Sequence, residues 1–476
     1  MARNEVITRR EMLFAALLWL VVLVANLATV TRSPTAWHDE VYFADPAIHF
    51  AAGDGFRTTA WTLVGEHVFW PGLVPAYGFA LGGWLKIMGV GLWQVRVLPI
   101  LMAACAAGWI WWTARRRGHA RSSGVGLLLL GALLCAAGVV FSYRSGRGDA
   151  LAMLWWAANY AVLAADRGRE RLVAFFFLGA AAPWCGLFLG PYLAVVGVFL
   201  VFLLGRGWIG PVAMAWTGFG VGAVSMVGFY RATGSWESFV LCSRLYQNGI
   251  FSPHFQFRLD GFRDPSLLLV CLGLGVAALF FRGRPGGRRI AVLALMGILT
   301  VGVLQALLGK WPSYYSWLAF FPAVLSLAQL MSVDGPSLAR GAAIICTAGA
   351  IVAGAPARLC VCVLEWGERD YRRVEMFVAG KFHGGDRVLC DPSAYFALRP
   401  IAGGVYPRAS DMVAEIPDDV RRSITAACVR PEVDAGSLAS ILGGKWVSLG
   451  SLGDGADRMP FGAAAPYRLV AYRRAE

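Results

Sequence analysis

The chain has 476 residues, 58% of them apolar and 15% charged, with a mean hydropathy of +0.58. That composition excludes a soluble globular enzyme of this size, so lipid must be its main solvent. The formal charge of +14 does not signal a nucleic-acid partner, because the arginines punctuate apolar runs instead of forming one basic stripe.

The basic start (Arg3, Arg9, Arg10) leads into an apolar stretch at 12–31. At about 20 residues and without an Ala-x-Ala site, it is expected to be a retained first transmembrane helix and not a cleaved signal. Further spans are expected at 96–114, 123–142, 149–165, 172–187, 190–205, 208–229, 266–281, 290–308, 314–332 and 341–359. The apolar run 172–205 is too long for one crossing, and Pro183, Gly186, Gly190 and Pro191 divide it.

The stretch PGLVPAYGFALGGWLKIMGV at 71–90 is apolar enough to cross but carries Pro71, Pro75 and Lys86. Topology decides it. If it does not cross, the arginine groups at 115–121, 167–171, 206, 282–289 and 340 all share the cytoplasmic side with the N-terminus. If it crosses, they all move outside, against the positive-inside rule. The stretch is therefore expected as an interfacial or re-entrant helix within one long outer loop, 32–95.

The resulting architecture is an α-helical polytopic membrane protein of about eleven transmembrane helices, spanning 1–359, with its N-terminus in the cytoplasm. Residues 360–476 then lie outside, in the manner of a bacterial inner-membrane protein. Charges and turn residues return there, and β-like runs at 387–390 (RVLC), 445–450 (KWVSLG) and 467–472 (YRLVAY) alternate with helical stretches, so a small soluble α/β domain is expected. The ten cysteines form no Cys-x-x-Cys zinc pair, and a Cys390–Cys428 disulfide stays open in an oxidising compartment.

Three charged clusters fall on the outer side. Trp37-His38-Asp39-Glu40-Val41-Tyr42 offers adjacent carboxylates, suited to a general base or a divalent cation, or equally to a solvated helix N-terminus with Asp39 as its cap. Arg144-Ser145-Gly146-Arg147-Gly148-Asp149 pairs two cations with a carboxylate, where the plainer reading is interfacial arginines and a capping Asp149. Gly309-Lys310-Trp311-Pro312-Ser313-Tyr314-Tyr315 sets one of only four lysines beside an aromatic pair, suited to gripping a phosphate or to snorkelling beside an aromatic belt.

Asp39 to Tyr42, Glu66-His67 ahead of Pro71, Asp149 after the third span and Gly-Lys-x-Pro-x-Tyr at 309–314 together resemble the GT-C membrane glycosyltransferases. Within them, the chain resembles the branch of protein O-mannosyltransferases and bacterial lipid A aminoarabinose transferases. The likeness covers most of 10–335 and fades in the tail.

The resemblance implies transfer of a hexosyl or pentosyl group from a polyprenyl-phosphate donor to a lipid, glycan or protein acceptor on the outer face. Asp39 matches the catalytic aspartate, with Glu40 beside it, and Asp149 matches the second carboxylate. Lipid-phosphate contacts map to Lys310 and Tyr314, with Arg147, Glu66, His67 and Arg244 as further candidates. His67 departs from the family's lysine and is cationic only at lower pH. The resemblance fixes no cofactor; should a divalent metal ion take part, Asp39 is the best-placed ligand.

A transporter would carry ionisable residues on broken helices near the midplane, whereas these spans are almost free of carboxylates. A non-catalytic scaffold or sensor would explain the outer domain but not the order of the three clusters.

Overall fold

The computed structural model describes residues 7–61, 63–165, 168–246, 263–280, 302, 306, 313–332, 337–408, 418–453 and 466–475. Helix α1 (Arg9–Ala28) starts at Thr8, whose side chain accepts from Glu11 N at 3.2 Å. The same glutamate is buried in a forked pair with Arg115, near the end of α4 (Leu92–Arg116), and accepts from Ser123 Oγ at 2.9 Å. This pairing ties the starts of α1 and α5 (Ser123–Cys135) to the end of α4 without leaving a charge unmatched.

The third expected span is a broken one. Helices α5 and α6 (Ala137–Arg144) meet at an angle of 48°, and the interrupted ladder is repaired by Ser266, whose hydroxyl accepts from Ala137 N at 2.9 Å. Helices α7 (Asp149–Ala164), α8 (Arg169–Cys185), α9 (Leu189–Leu204) and α10 (Ile209–Ala232) follow, with α8 and α9 divided where the proline and glycines predict.

Helix α10 packs on α8 at nearly backbone contact. A Cβ at Gly179 would lie 2.0 Å from Ala215 O, at Gly218 1.9 Å from Phe176 O, and at Gly222 2.1 Å from Ala180 O. Only glycine permits this approach, the small-residue packing used where no hydrophobic driving force separates helix from lipid.

Helix α11 (Trp236–Tyr246) precedes α12 (Pro265–Phe280), α13 (Trp317–Ser332), α14 (Ser337–Val352) and α15 (Ala355–Leu364). Among the described residues four helices are long and apolar enough to cross a bilayer, or five if α5 and α6 count as one. Helices α7, α8, α9, α12 and α13 coincide with expected spans but have only 16 or 17 residues. At 1.5 Å per residue they reach about 25 Å, short of a hydrocarbon core of about 30 Å, so the count of eleven does not follow from helix length. The expected span 290–308 lies outside the described residues, save for Gly302 and Ala306.

The stretch 71–90 forms α3 (Pro75–Met88), which at 14 residues is too short to cross. It buries Tyr77, Leu81 and Leu85 against α2 (His38–Ala52) while Ile87 and Met88 face outward. Helix α2 starts where the helical reading of the 37–42 cluster expects one, although Trp37 and not Asp39 caps it, and it continues through Pro46.

After α16 (Arg372–Ala379) comes a five-stranded sheet in the order β2-β1-β3-β5-β4. Strands β1 (Arg387–Cys390), β2 (Gly404–Pro407) and β3 (Ala426–Val429) are mutually parallel; β5 (Leu469–Ala475) pairs antiparallel with β3, and β4 (Lys445–Leu452) closes that edge antiparallel to β5. The runs at 387, 445 and 467 are β1, β4 and β5. The short β2 and β3 carried no alternation and were missed.

One sheet face, with Val388, Ala426 and Ala471, shares a core with α2 and α3; the other, with Leu389 and Ala427, packs on Leu438 of α19 (Ala435–Leu442). Helix α18 (Asp418–Ser423) adds Val420 to that second face; the short α17 is Tyr395–Leu398. Buried Asp45 of α2 accepts from Thr58 Oγ1 at 2.6 Å, Thr59 N at 2.7 Å and the Tyr395 hydroxyl, fastening the sheet region to the first loop. Cys390 and Cys428 are in-register neighbours on β1 and β3, and both are free thiols.

Candidate active site

Helix α2 begins at Trp37, and His38, Asp39 and Glu40 form its first turn, where carboxylates suit the exposed N–H groups. Neighbours on a helix point about 100° apart, and the two acids separate accordingly. Glu40 turns inward and is fully buried in a forked pair with Arg96, Nε–Oε1 2.6 Å and Nη2–Oε2 2.7 Å. Burial raises the Glu40 carboxyl against the pull of Arg96. Arg96 also donates to Val30 O at 2.7 Å and Pro34 O at 2.8 Å, closing the loop that delivers α2.

Asp39 turns the other way, into a cavity of about 380 Å³. Asp149 enters the same cavity as the first residue of α7, after Gly148. The turn before it needs Gly146, which has φ +66° and whose Cβ would sit 2.7 Å from Glu40 Oε1. Tyr77 of α3 holds this turn by donating to Gly146 O at 3.0 Å.

Arg147 lies between the two acids. Its Nε donates to Asp149 Oδ2 at 2.7 Å and its Nη1 pairs with Asp39 Oδ2. The guanidinium rests 3.8 Å from the centroid of Tyr314. Its charge is therefore already divided between two carboxylates, which makes it an organiser of the acid pair rather than an open phosphate grip. Asp149 Oδ1 is buried without a hydrogen-bond donor, whereas His38 Nε2 stands 3.1 Å from Asp39 Oδ1 at the half-exposed rim.

The walls are aromatic: Tyr42, Phe43 and Trp61 from the first loop, Phe188 between α8 and α9, and Tyr314 and Tyr315. Such faces suit a sugar ring. The buried hydroxyl of Ser243 on α11 also lines the cavity without a partner. It was not singled out from sequence, where the adjacent Arg244 drew attention by its charge; Arg244 is exposed.

The structure thus brings together Asp39, Arg147, Asp149 and Tyr314. Glu40 is directed away from the cavity by Arg96. Glu66 faces the sheet region, 3.7 Å from Arg387, and His67 is exposed; neither lines the cavity. Arg144 also turns away, donating to Ser33 O at 2.8 Å and Thr29 O at 2.7 Å. Neither Asp39 nor Asp149 is the capping residue of its helix. Lys310 lies outside the described residues.

The arrangement does not fit a divalent cation held between the two acids, because the Arg147 guanidinium takes that place. Among the described residues no group of three His, Cys, Asp or Glu converges on a metal site.

The fold has a counterpart among solved structures. ArnT from Cupriavidus metallidurans, an aminoarabinose transferase solved in the apo state, superposes over 96% of this chain and 98% of its own with a TM-score of 0.54 at 16% identity. The chain has the GT-C fold. The apo oligosaccharyltransferase of Archaeoglobus fulgidus matches over 91% of this chain and 70% of its own (TM-score 0.48, 10% identity). The arabinofuranosyltransferase AftD from Mycobacteria matches over 100% and 40% (TM-score 0.47, 16% identity). No family model and no curated protein matches the chain.

Proposed function

We propose that this GT-C chain is an integral membrane glycosyltransferase that moves a hexosyl or pentosyl group from a polyprenyl-phosphate donor to a lipid, glycan or protein acceptor. The reaction takes place on the extracytoplasmic face of a bacterial inner membrane, and residues 360–476 form the outer domain. The observation that carries this reading is the Asp39–Arg147–Asp149 bridge in an aromatic cavity, assembled from two loops at the same end of the bundle.

In the proposed step the acceptor hydroxyl gives its proton to Asp39, and its oxygen attacks the anomeric carbon. The bond to the phosphate oxygen breaks, and polyprenyl phosphate leaves with the electron pair, inverting the centre. His38 at the rim relays the proton outward, and Asp149 Oδ1 accepts a hydrogen bond from a substrate hydroxyl. No step passes through a metal. The three charges sum to −1, so the donor phosphate needs further cations, for which Lys310 is the main candidate, with Tyr314 as a hydroxyl donor and Arg244 at the rim.

Mass spectrometry of envelope lipids and glycans with and without the protein tests the reading, because it reveals donor and product together. Asp39→Asn should reproduce the loss while leaving donor binding intact; near-normal turnover in that variant rejects the mechanism. Lys310→Ala should weaken polyprenyl-phosphate binding by about 1.5–3 kcal/mol. For the orientation, a reporter active only in the cytoplasm and fused after Glu476 should stay silent.

A further inference from the structure

A separate hollow of about 260 Å³ lies between α1, the α5–α6 break and the α14–α15 pair. Its walls are apolar, with Val21, Val22, Ile351 and Leu359 prominent, yet Arg144 and Arg358 both line it and no carboxylate does. Arg144 has its guanidinium on neutral acceptors alone, Asn26 Oδ1 at 2.6 Å and the Thr29 and Ser33 carbonyls. Arg358 has no ion pair or hydrogen bond with any described residue, and its guanidinium lies 5.1 Å from the Phe141 ring centroid.

The carboxylate that Arg358 senses within the chain, Asp264, lies outside the lining of the hollow and already accepts from Ser316 Oγ and, at 2.9 Å, from Ser266 N. Two cations with no ion-paired carboxylate in apolar surroundings are costly, and a counter-charge from outside the chain relieves that cost. The approach to the hollow is greasy. Val21 is 56% exposed, and Leu17, Leu20 and Val24 continue the same open face of α1. The cations sit where α1 ends, at the end of the bundle that carries Asp39, so an apolar flank is crowned by positive charge at headgroup level.

We propose that this hollow binds one anionic glycerophospholipid of the surrounding bilayer, its phosphate on Arg358 and an acyl chain along Val21, Val22 and Ile351. The sugar donor is a poor occupant, because an aromatic layer separates the hollow from the acid pair. Phe141 has Arg358 over its ring and stacks on Tyr314 at 6.3 Å and 19°, and Tyr314 in turn carries Arg147. The lipid therefore sets the Phe141–Tyr314 layer from behind and takes no part in transfer. This site depends on the membrane setting and not on the transferase reading.

Native mass spectrometry of the purified full chain, titrated with dioleoylphosphatidylglycerol, dioleoylphosphatidylcholine, inorganic phosphate or polyprenyl phosphate, tests the site, with the thermal unfolding midpoint as a second readout. One phosphatidylglycerol should be retained in preference to phosphatidylcholine and should raise the midpoint. Arg358→Ala should weaken it by about 10-fold or more, and Arg358→Lys should recover part of the loss. Ile351→Trp, which fills the hollow and keeps both arginines, should lower phosphatidylglycerol binding as well and serves if Arg358→Ala does not fold. Equal phosphatidylglycerol affinity in the wild type and in these variants would overturn the site. So would stabilisation by inorganic phosphate alone, which indicates a plain anion site, or one-for-one displacement by polyprenyl phosphate, which indicates a donor site.

Discussion

Arg147 and Asp149 are two residues apart, and the Arg147 Nε bond to Asp149 Oδ2 at 2.7 Å leaves Asp149 Oδ1 buried and without a donor. An acceptor atom in that state inside a cavity is open to a donor from outside the chain. Through its other edge Arg147 also holds Asp39, so the two acids act as a coupled pair.

Asp39→Asn and Asp149→Asn should each lower the transfer rate by about 100-fold or more, since each keeps its shape and loses its charge. The double variant should fall by less than the product of the two, because removing either acid already unbalances Arg147. Single-turnover kinetics with a lipid-linked sugar reads this directly; independent, multiplicative losses would show that the bridge does not couple them.

The Glu40–Arg96 pair makes a contrasting prediction about stability. Glu40→Gln strands a buried guanidinium and should cost about 3–5 kcal/mol, whereas Glu40→Leu combined with Arg96→Met should recover only part of it, because the carbonyls of Val30 and Pro34 then lose their donor. Thermal unfolding in detergent measures both. A harmless Glu40→Gln would mean that the loop carrying Asp39 is not held by this pair.

Helix α10 touches α8 at Gly218, where an added Cβ would meet Phe176 O at 1.9 Å. Gly218→Val should force the helices apart and destabilise the fold by at least the usual overpacking cost of about 1–3 kcal/mol, lowering the unfolding midpoint and the yield of monodisperse protein. Gly220→Ala, where a Cβ meets nothing, is the matched control on the same helix.

Burial pushes the thiols of Cys390 and Cys428 above their ordinary range. The thiolate is the reactive form, and a raised value means that little of it exists below that value. Iodoacetamide at pH 8.5 should therefore leave both residues unmodified in the folded protein and alkylate both after denaturation, as read by peptide mapping. Rapid native labelling would show that the sheet face is open.

The membrane class and most of the helices were legible in the sequence because lipid imposes long apolar runs, a one-dimensional signal. The break in 172–205 was equally legible, since proline and glycine act locally. Of the charged clusters, Asp39 and Asp149 stood out as carboxylates beside otherwise apolar segments.

Which of those charges face the cavity was decided by the tertiary structure alone. Asp39 and Glu40 are chemically equivalent in the sequence, and only Arg96, 56 residues away, takes Glu40 out of reach. Likewise Arg144 and Arg147 look alike, but the bend at Ala136 and the left-handed Gly146 send one to the carbonyls of Thr29 and Ser33 just past α1 and the other between two carboxylates. Glu66 pairs with Arg387 and Asp45 with Tyr395 across more than 300 residues, because the sheet folds back onto the first loop. A side chain's partner depends on which distant backbone arrives beside it, and no local pattern carries that information.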